Sequence, residues 1–178
     1  MKLLKIFFIS TLFICVQAEP INTGHAEVSL VKYNFSKSED RNNLIGIKMD
    51  MQKNWHTYWK NPGDSGGPIK LKWETDKDIE ISEIRWPRPE LIPYEPLMTY
   101  GYKDFVIFPF EYVKKGDQNL KIKLTIDFLI CDDICVPEKA LIETSFNEIL
   151  IDDELKKWND LVPAITLPVL AKFKNNFI

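Results

Sequence analysis

Residues 120–130 alternate between apolar and polar side chains, with Leu129 as the one exception. The apolar positions are Leu120, Ile122, Leu124, Ile126, Phe128 and Ile130, and Lys121, Lys123, Thr125, Asp127 and Leu129 lie between them. Successive side chains of a β-strand point to opposite faces, so a period of two predicts a strand with one buried face. Such a strand needs partner strands that bury the same face.

Weaker alternation recurs along the chain, with clusters of Asn, Gly, Pro and Asp between the segments. The further predicted strands are 26–33, 44–51, 55–60, 69–73, 79–86, 105–113 and 141–146. Short strands separated by turns predict an all-β fold, an antiparallel β-sandwich. One short helix is expected at 153–159, capped by Asp152, with Leu155 and Trp158 packing onto the sheet.

Segment 86–102 differs from the rest because it is rich in both proline and large apolar side chains. Its prolines are Pro87, Pro89, Pro93 and Pro96. Proline lacks a backbone donor and disfavours regular structure. We expect an ordered loop that lies over another part of the fold.

The first 18 residues have the pattern of a secretory signal peptide. Lys2 and Lys5 precede an apolar run, and the small Ala18 stands at the expected cleavage site. Bulky Phe13 and Ile14 disfavour a lipoprotein site at Cys15. We therefore expect a signal peptide at 1–18, a β-sandwich domain at 19–150, and a helix and tail at 151–178.

Charge argues against nucleic acid as a partner. The formal net charge is −3, and it becomes −5 when Lys2 and Lys5 leave with the signal peptide. Phosphate binding needs a basic face.

Cys131 and Cys135 are the two cysteines that remain after export, and they follow the most regular predicted strand. Thiols outside the cytoplasm tend to be oxidised, so a disulfide between them is expected. Three interpretations follow: a structural disulfide, a soft-metal site with Met98 or His56 as a further ligand, or a redox-active dithiol. The residues alone favour the structural and the redox interpretations almost equally.

Two other motifs need an interpretation. The run 63–68, Gly-Asp-Ser-Gly-Gly-Pro, has the letters that surround the nucleophile of trypsin-like proteases. Too little chain precedes Ser65 for such a protease, so we interpret the run as a glycine-rich turn. The strand at 55–60 places Trp55 and Trp59 on one face and His56 on the other, which indicates core tryptophans beside a solvated or hydrogen-bonded histidine.

Several of these motifs occur in one order along the chain. They are Trp-His-Thr-Tyr-Trp-Lys-Asn-Pro-Gly-Asp-Ser-Gly at 55–66, Trp-Pro at 86–87, Tyr-Gly-Tyr at 100–102 and Cys-Asp-Asp-Ile-Cys-Val-Pro-Glu at 131–138. From about residue 26 to 146 the chain resembles the amino-terminal domain of the thiol:disulfide interchange protein DsbD, in particular its ScsB-like variant. The best-known members have a longer spacing between their cysteines.

The resemblance implies an immunoglobulin-like sandwich in the periplasm that acts as a thiol:disulfide oxidoreductase without a cofactor. Cys131 and Cys135 match the active-site cysteines. The implied partners are a membrane-embedded thiol electron donor, expected on a separate chain, and oxidised periplasmic thioredoxin-like or isomerase-like proteins. A copper-binding module and a non-catalytic sandwich with a structural disulfide are the alternatives.

Five residues are predicted to modulate the cysteine pair. Asp132 and Asp133 lie between the cysteines, and their negative charge disfavours a thiolate, so a sluggish thiol is expected. We also predict that Tyr94, Tyr100 or Tyr102 of segment 86–102 shields the sulfurs until a partner displaces it.

Overall fold

The structure is a computed structural model that describes residues 19–33, 43–116 and 118–164. The predicted signal peptide and the end of the predicted tail lie outside these ranges. Within them the chain forms twelve strands, a short 3-10 helix at Phe146–Glu148 and the helix α1 at Glu154–Asp160. The strands are β1 (Ile21–Asn22), β2 (Ala26–Tyr33), β3 (Asn43–Met51), β4 (His56–Gly63), β5 (Lys70–Thr75), β6 (Ile79–Ile81), β7 (Glu90–Tyr94), β8 (Leu97–Lys103), β9 (Phe105–Lys114), β10 (Lys121–Cys131), β11 (Cys135–Ser145) and β12 (Leu150–Ile151).

The strands form two sheets packed face to face. The first has the order β1-β2-β3-β9-β6, and β12 pairs in parallel with β2. The second has the order β11-β10-β4-β8-β7, and β5 pairs with β10. Apart from the β12 pairing, the ladders are antiparallel. The predicted immunoglobulin-like β-sandwich with one short C-terminal helix is confirmed.

Alternation in β10 determines which of its side chains enter the core. Ile122, Leu124, Ile126, Phe128 and Ile130 are all buried in the main apolar cluster between the sheets. Strand β9 contributes Val106, Phe108 and Phe110 from the opposite sheet. Because Cys131 follows Ile130, it lies on the outer face of the second sheet.

Helix α1 packs on the first sheet through Leu155, which is fully buried with Val31, Leu44 and Ile107. Ile107 lies between two core residues of β9, so this small cluster covers the outer face of that sheet. The predicted packing of Leu155 and Trp158 is confirmed, since the Trp158 ring also contacts that of Phe105, with centroids 5.7 Å apart. Asp152 Oδ1 accepts the Glu154 N–H at 2.9 Å, whereas Asp153 occupies the N-cap position.

Three predicted elements differ from the structure. Segment 86–102 was expected to lack regular structure, but it contains the hairpin β7–β8. Pro93 is accommodated because β7 is the last strand of its sheet, where a missing N–H does not interrupt a ladder. Strand β6 ends at Ile81 and β11 begins at Cys135, so the first is shorter and the second longer than predicted.

No helix in the described part of the chain has the length and apolar character needed to span a bilayer.

Candidate functional site

The two cysteines face each other where β10 ends and β11 begins. They are register partners across the hairpin, with Cα atoms 4.1 Å apart, and their sulfurs form a disulfide. The intervening residues 132–134 form the turn, in which the Asp132 N–H donates to the Ile134 carbonyl at 3.1 Å. Cys131 is only 1% exposed, whereas Cys135 is exposed. Cys135 is therefore the residue of the pair that solvent reaches.

Strand β4 lies on the other side of Cys131 and places His56 directly across from it. His56 and Tyr58 are two positions apart, so both face outward with the disulfide, while Trp55 and Trp59 pack against the core. The prediction for the tryptophans is confirmed. Of the two alternatives for His56, the solvated one is wrong, because His56 is buried beside the cysteines, and the hydrogen-bonded one stays a prediction.

The Tyr58 hydroxyl contacts both sulfurs. It donates to Cys131 Sγ at 2.8 Å and lies 3.4 Å from Cys135 Sγ. Burial raises the pKa of Tyr58, and a hydrogen bond with the Ser65 side chain partly opposes this shift. Tyr58 therefore remains a neutral hydrogen-bond donor at neutral pH.

The glycine-rich run 63–68 covers the Tyr58 ring. Gly66 has a φ of +84°, and a Cβ at this position would lie 2.2 Å from the nearest ring atoms. Only glycine combines this backbone conformation with so close an approach. The protease-like letters of this run therefore describe a turn that packs on a tyrosine.

The same turn is attached to the hairpin β7–β8. The Asp64 N–H donates to the Met98 carbonyl at 3.0 Å, and the Met98 N–H donates to Asp64 Oδ2 at 2.9 Å. These bonds hold the start of β8 beside the disulfide. Together the turn, the hairpin and the cysteines enclose a pocket of about 260 Å³. It is lined by His56, Tyr58, Ser65, Leu97, Thr99, Cys131, Asp132, Asp133 and Cys135.

The predicted modulators occupy different places. Asp132 and Asp133 are exposed and line the pocket. Tyr100 is exposed, and Tyr102 is buried with its hydroxyl donating to the Pro87 carbonyl at 2.8 Å. Neither of these tyrosines is among the described residues that line the pocket. The side chain of Tyr94 lies outside the described part of the structure, and shielding by tyrosine stays a prediction.

Burial lowers the pKa of His56, Asp132 raises it in part, and Lys103 adds a smaller lowering effect. The histidine is therefore neutral at pH 7. Met98, which was considered as a metal ligand, is 41% exposed, and the pocket lining does not include it. Within the described ranges no group of three or more His, Cys, Asp or Glu side chains could hold a metal ion.

The other histidine belongs to a separate contact that fixes β11 near its start. His25 Nδ1 lies 2.6 Å from Glu138 Oε1, and the Thr23 hydroxyl donates to the other carboxylate oxygen. The His25 ring stacks on Trp55 with centroids 3.8 Å apart. This contact connects β11 to the residue that precedes β4, so both strands that carry the site are held by one segment.

Sequence reasoning missed Tyr58, Ser65, Leu97 and Thr99 as site residues. The alternation in 55–60 already placed Tyr58 on the same face as His56, which was the available signal. Nothing in the local pattern identified Cys131 as their neighbour.

A family model described as thiol:disulfide interchange protein DsbD, N-terminal, matches residues 26–147. The chain belongs to this family. The DsbD N-terminal family match covers every strand that contributes to the pocket, and the resemblance seen in the sequence is confirmed.

The N-terminal periplasmic domain of ScsB from Proteus mirabilis is a solved structure similar to this member of the DsbD N-terminal family. The two align with a TM-score of 0.60 at 22% identity, over 80% of this chain and 56% of that one. The chain thus corresponds to little more than half of that structure, and the likeness shows a shared fold. No curated protein matches the chain.

Proposed function

We propose that this chain is a periplasmic thiol:disulfide interchange domain that relays reducing equivalents through Cys131 and Cys135. The observation that carries the proposal is the position of the disulfide: one sulfur belongs to an exposed residue and the other is buried under a hydrogen-bond donor. A structural staple needs no exposed cysteine. A pair that exchanges with partners requires one.

In the first half of the cycle the pair is reduced. A thiolate of a membrane-embedded donor attacks Cys135 Sγ, the S–S bond breaks, and Cys131 leaves as a thiolate that the Tyr58 hydroxyl stabilises by hydrogen bonding. A second donor thiol then attacks the intermolecular disulfide and releases Cys135. Two electrons pass to the domain, and the donor becomes a disulfide.

In the second half the pair is oxidised again. The Cys135 thiolate attacks the disulfide of an oxidised thioredoxin-like or isomerase-like protein in the periplasm, which forms a mixed disulfide. Cys131 then attacks Cys135 Sγ, the intramolecular disulfide forms, and the partner leaves with both electrons as a dithiol. Cys135 is the attacking residue in this scheme and Cys131 the resolving one.

Paired single-cysteine variants test this division of roles. Cys131→Ser leaves the exposed sulfur, so it should accumulate mixed disulfides with periplasmic proteins of the host. Cys135→Ser leaves the buried sulfur and serves as the matched control, with little trapping expected. Equal trapping by both variants, measured on non-reducing gels, would contradict a fixed division.

The reduction potential separates exchange from a structural bond. Structural disulfides usually have potentials below about −300 mV, and exchange-active ones lie above that value. Equilibration of the purified chain in glutathione buffers, with thiol alkylation as the readout, should give a value above this limit. A pair that stays oxidised throughout would identify a stapled β-domain.

A further inference from the structure

Cys131 must lose a proton before it can act as the resolving nucleophile, and the proposed function depends on that step. An ordinary cysteine thiol is largely protonated at pH 7. The residue is 1% exposed, so a base in bulk solvent has poor access to it. The proton therefore needs an acceptor inside the pocket.

The described lining of the pocket offers few acceptors. Ser65 and Thr99 are alcohols, and Tyr58 is a neutral donor because burial raises its pKa. Asp132 and Asp133 are exposed carboxylates, which are weak bases. His56 is the remaining titratable group, and an imidazole is the side chain best matched to proton transfer near neutral pH.

The backbone places His56 directly beside Cys131. The two residues are register partners of adjacent antiparallel strands, and their side chains point to the same face of the sheet. The His56 ring also contacts the Tyr58 ring edge-on, with centroids 5.3 Å apart. The Tyr58 hydroxyl in turn donates a hydrogen bond to Cys131 Sγ. We propose that His56 is the general base that takes the proton of the Cys131 thiol when Cys131 resolves the mixed disulfide.

The resolving step transfers one proton, forms one S–S bond and breaks another. The Cys131 S–H bond breaks, and its proton goes to a ring nitrogen of His56. The sulfur lone pair forms the bond to Cys135 Sγ, and the bond between Cys135 and the partner breaks, so the partner sulfur leaves as a thiolate with the electron pair. His56 becomes an imidazolium, which the nearby Asp132 stabilises, and it returns its proton to solvent.

Electrostatics around His56 suit this role. The His56 ring starts neutral because burial lowers its pKa. Lys103, which pairs with His56 from β8, lowers this pKa further. Asp132 opposes them and favours the charged form that the reaction produces. The other polar residues that line the pocket with His56 are Asp133, Tyr58, Ser65 and Thr99, and the Tyr58 ring contacts the His56 ring.

A two-phase reaction with an aromatic disulfide reagent, 5,5′-dithiobis(2-nitrobenzoate), isolates the resolving step. The reduced chain releases one nitrothiolate when Cys135 attacks and a second when Cys131 resolves the mixed disulfide. For the wild type, we expect the rate of the second phase to vary little between pH 7 and 8. For His56→Gln, we expect a rate roughly 10²-fold lower at pH 7 that rises with pH as the thiol ionises by itself.

Two controls make the test specific. Lys72→Gln removes an exposed charge of β5 that pairs with Glu74 outside the pocket, and it should leave the second phase unchanged. An NMR titration of His56 in the wild-type chain checks its protonation state without a substitution, and a ring that is mostly protonated at pH 7 would overturn the inference. An unchanged second phase in His56→Gln would also overturn it while leaving the proposed function intact. Absence of any second phase in the wild type would contradict the proposed function itself.

Discussion

At the residue scale, two opposing influences act on the sulfurs. Asp132 and Asp133 flank the pair with negative charge, which disfavours a thiolate. The Tyr58 hydroxyl donates to Cys131 Sγ and favours one. The sequence suggested only the first influence, because the aspartates are neighbours along the chain. The ionisation of the two thiols depends on both influences.

Tyr58→Phe tests the second influence. The substitution keeps the ring that packs under Gly66 and removes the donor to the leaving Cys131 sulfur. A hydrogen bond to a charged group contributes about 1.5–3 kcal/mol, so reduction of the disulfide by dithiothreitol should slow roughly tenfold or more. The rate is measured by quenching samples in acid and alkylating the free thiols. Tyr112→Phe, a buried tyrosine of β9, is the control that should react at the wild-type rate.

At the scale of elements, the site depends on the turn 63–68 and the hairpin β7–β8 as much as on the cysteine hairpin. The turn fills the space above Tyr58, and its Asp64 fixes the start of β8. Leu97 and Thr99 then complete the pocket. Two residues of segment 86–102 lie beside the cysteines in the pocket, and shielding of the sulfurs by one of its tyrosines stays a prediction. Among its described side chains, Leu97 and Thr99 rather than a tyrosine line the pocket.

Gly66→Ala tests the packing of the turn. An added methyl group would overlap the Tyr58 ring at 2.2 Å and would require a positive φ, so the free energy of unfolding should fall by roughly 1–3 kcal/mol. Gly67→Ala is a matched control, because a Cβ there meets only Leu129 at 3.9 Å. Urea denaturation measures both variants. Equal stability of the two would contradict the close packing of the turn on the ring.

At the scale of the whole molecule, the core does not depend on the disulfide. Two sheets share a large apolar cluster, and α1 adds a second cluster on the outer face of the first sheet. The disulfide closes a loop of only three intervening residues. The chain-entropy effect of so short a loop is about 2 kcal/mol. The sandwich can therefore remain folded in both oxidation states.

Reduction of the pair should leave the fold intact. Reduced protein and the Cys131→Ser, Cys135→Ser double variant should lose about 2 kcal/mol or less relative to the oxidised chain, with unchanged circular dichroism at 25 °C. Thermal and urea denaturation under reducing and oxidising conditions provide the measurement. Unfolding on reduction would mean that the bond is a structural staple, and the proposed relay would then be wrong.

The sequence by itself determined the fold class and the cysteine pair. Strand identity follows from local alternation, which residues 120–130 display at every position except Leu129. The position of the two cysteines after that strand requires no knowledge of the fold. Helix α1 was also predictable from its apolar spacing, which is a local signal, although its N-cap is Asp153 and not Asp152. Proline content misled the prediction for 86–102, because its effect depends on whether a strand lies at a sheet edge.

Only the tertiary structure decided what surrounds the sulfurs. Tyr58 and Cys131 are 73 positions apart in the chain, and their contact exists because β4 pairs with the last residue of β10. Strand pairing depends on how both sheets bury their apolar faces together, which no local pattern encodes. The same pairing removes His56 from solvent and sets it beside Cys131. The chemistry that we propose for this domain therefore depends on long-range strand pairing. Local sequence patterns identify each strand but do not show which strands pair.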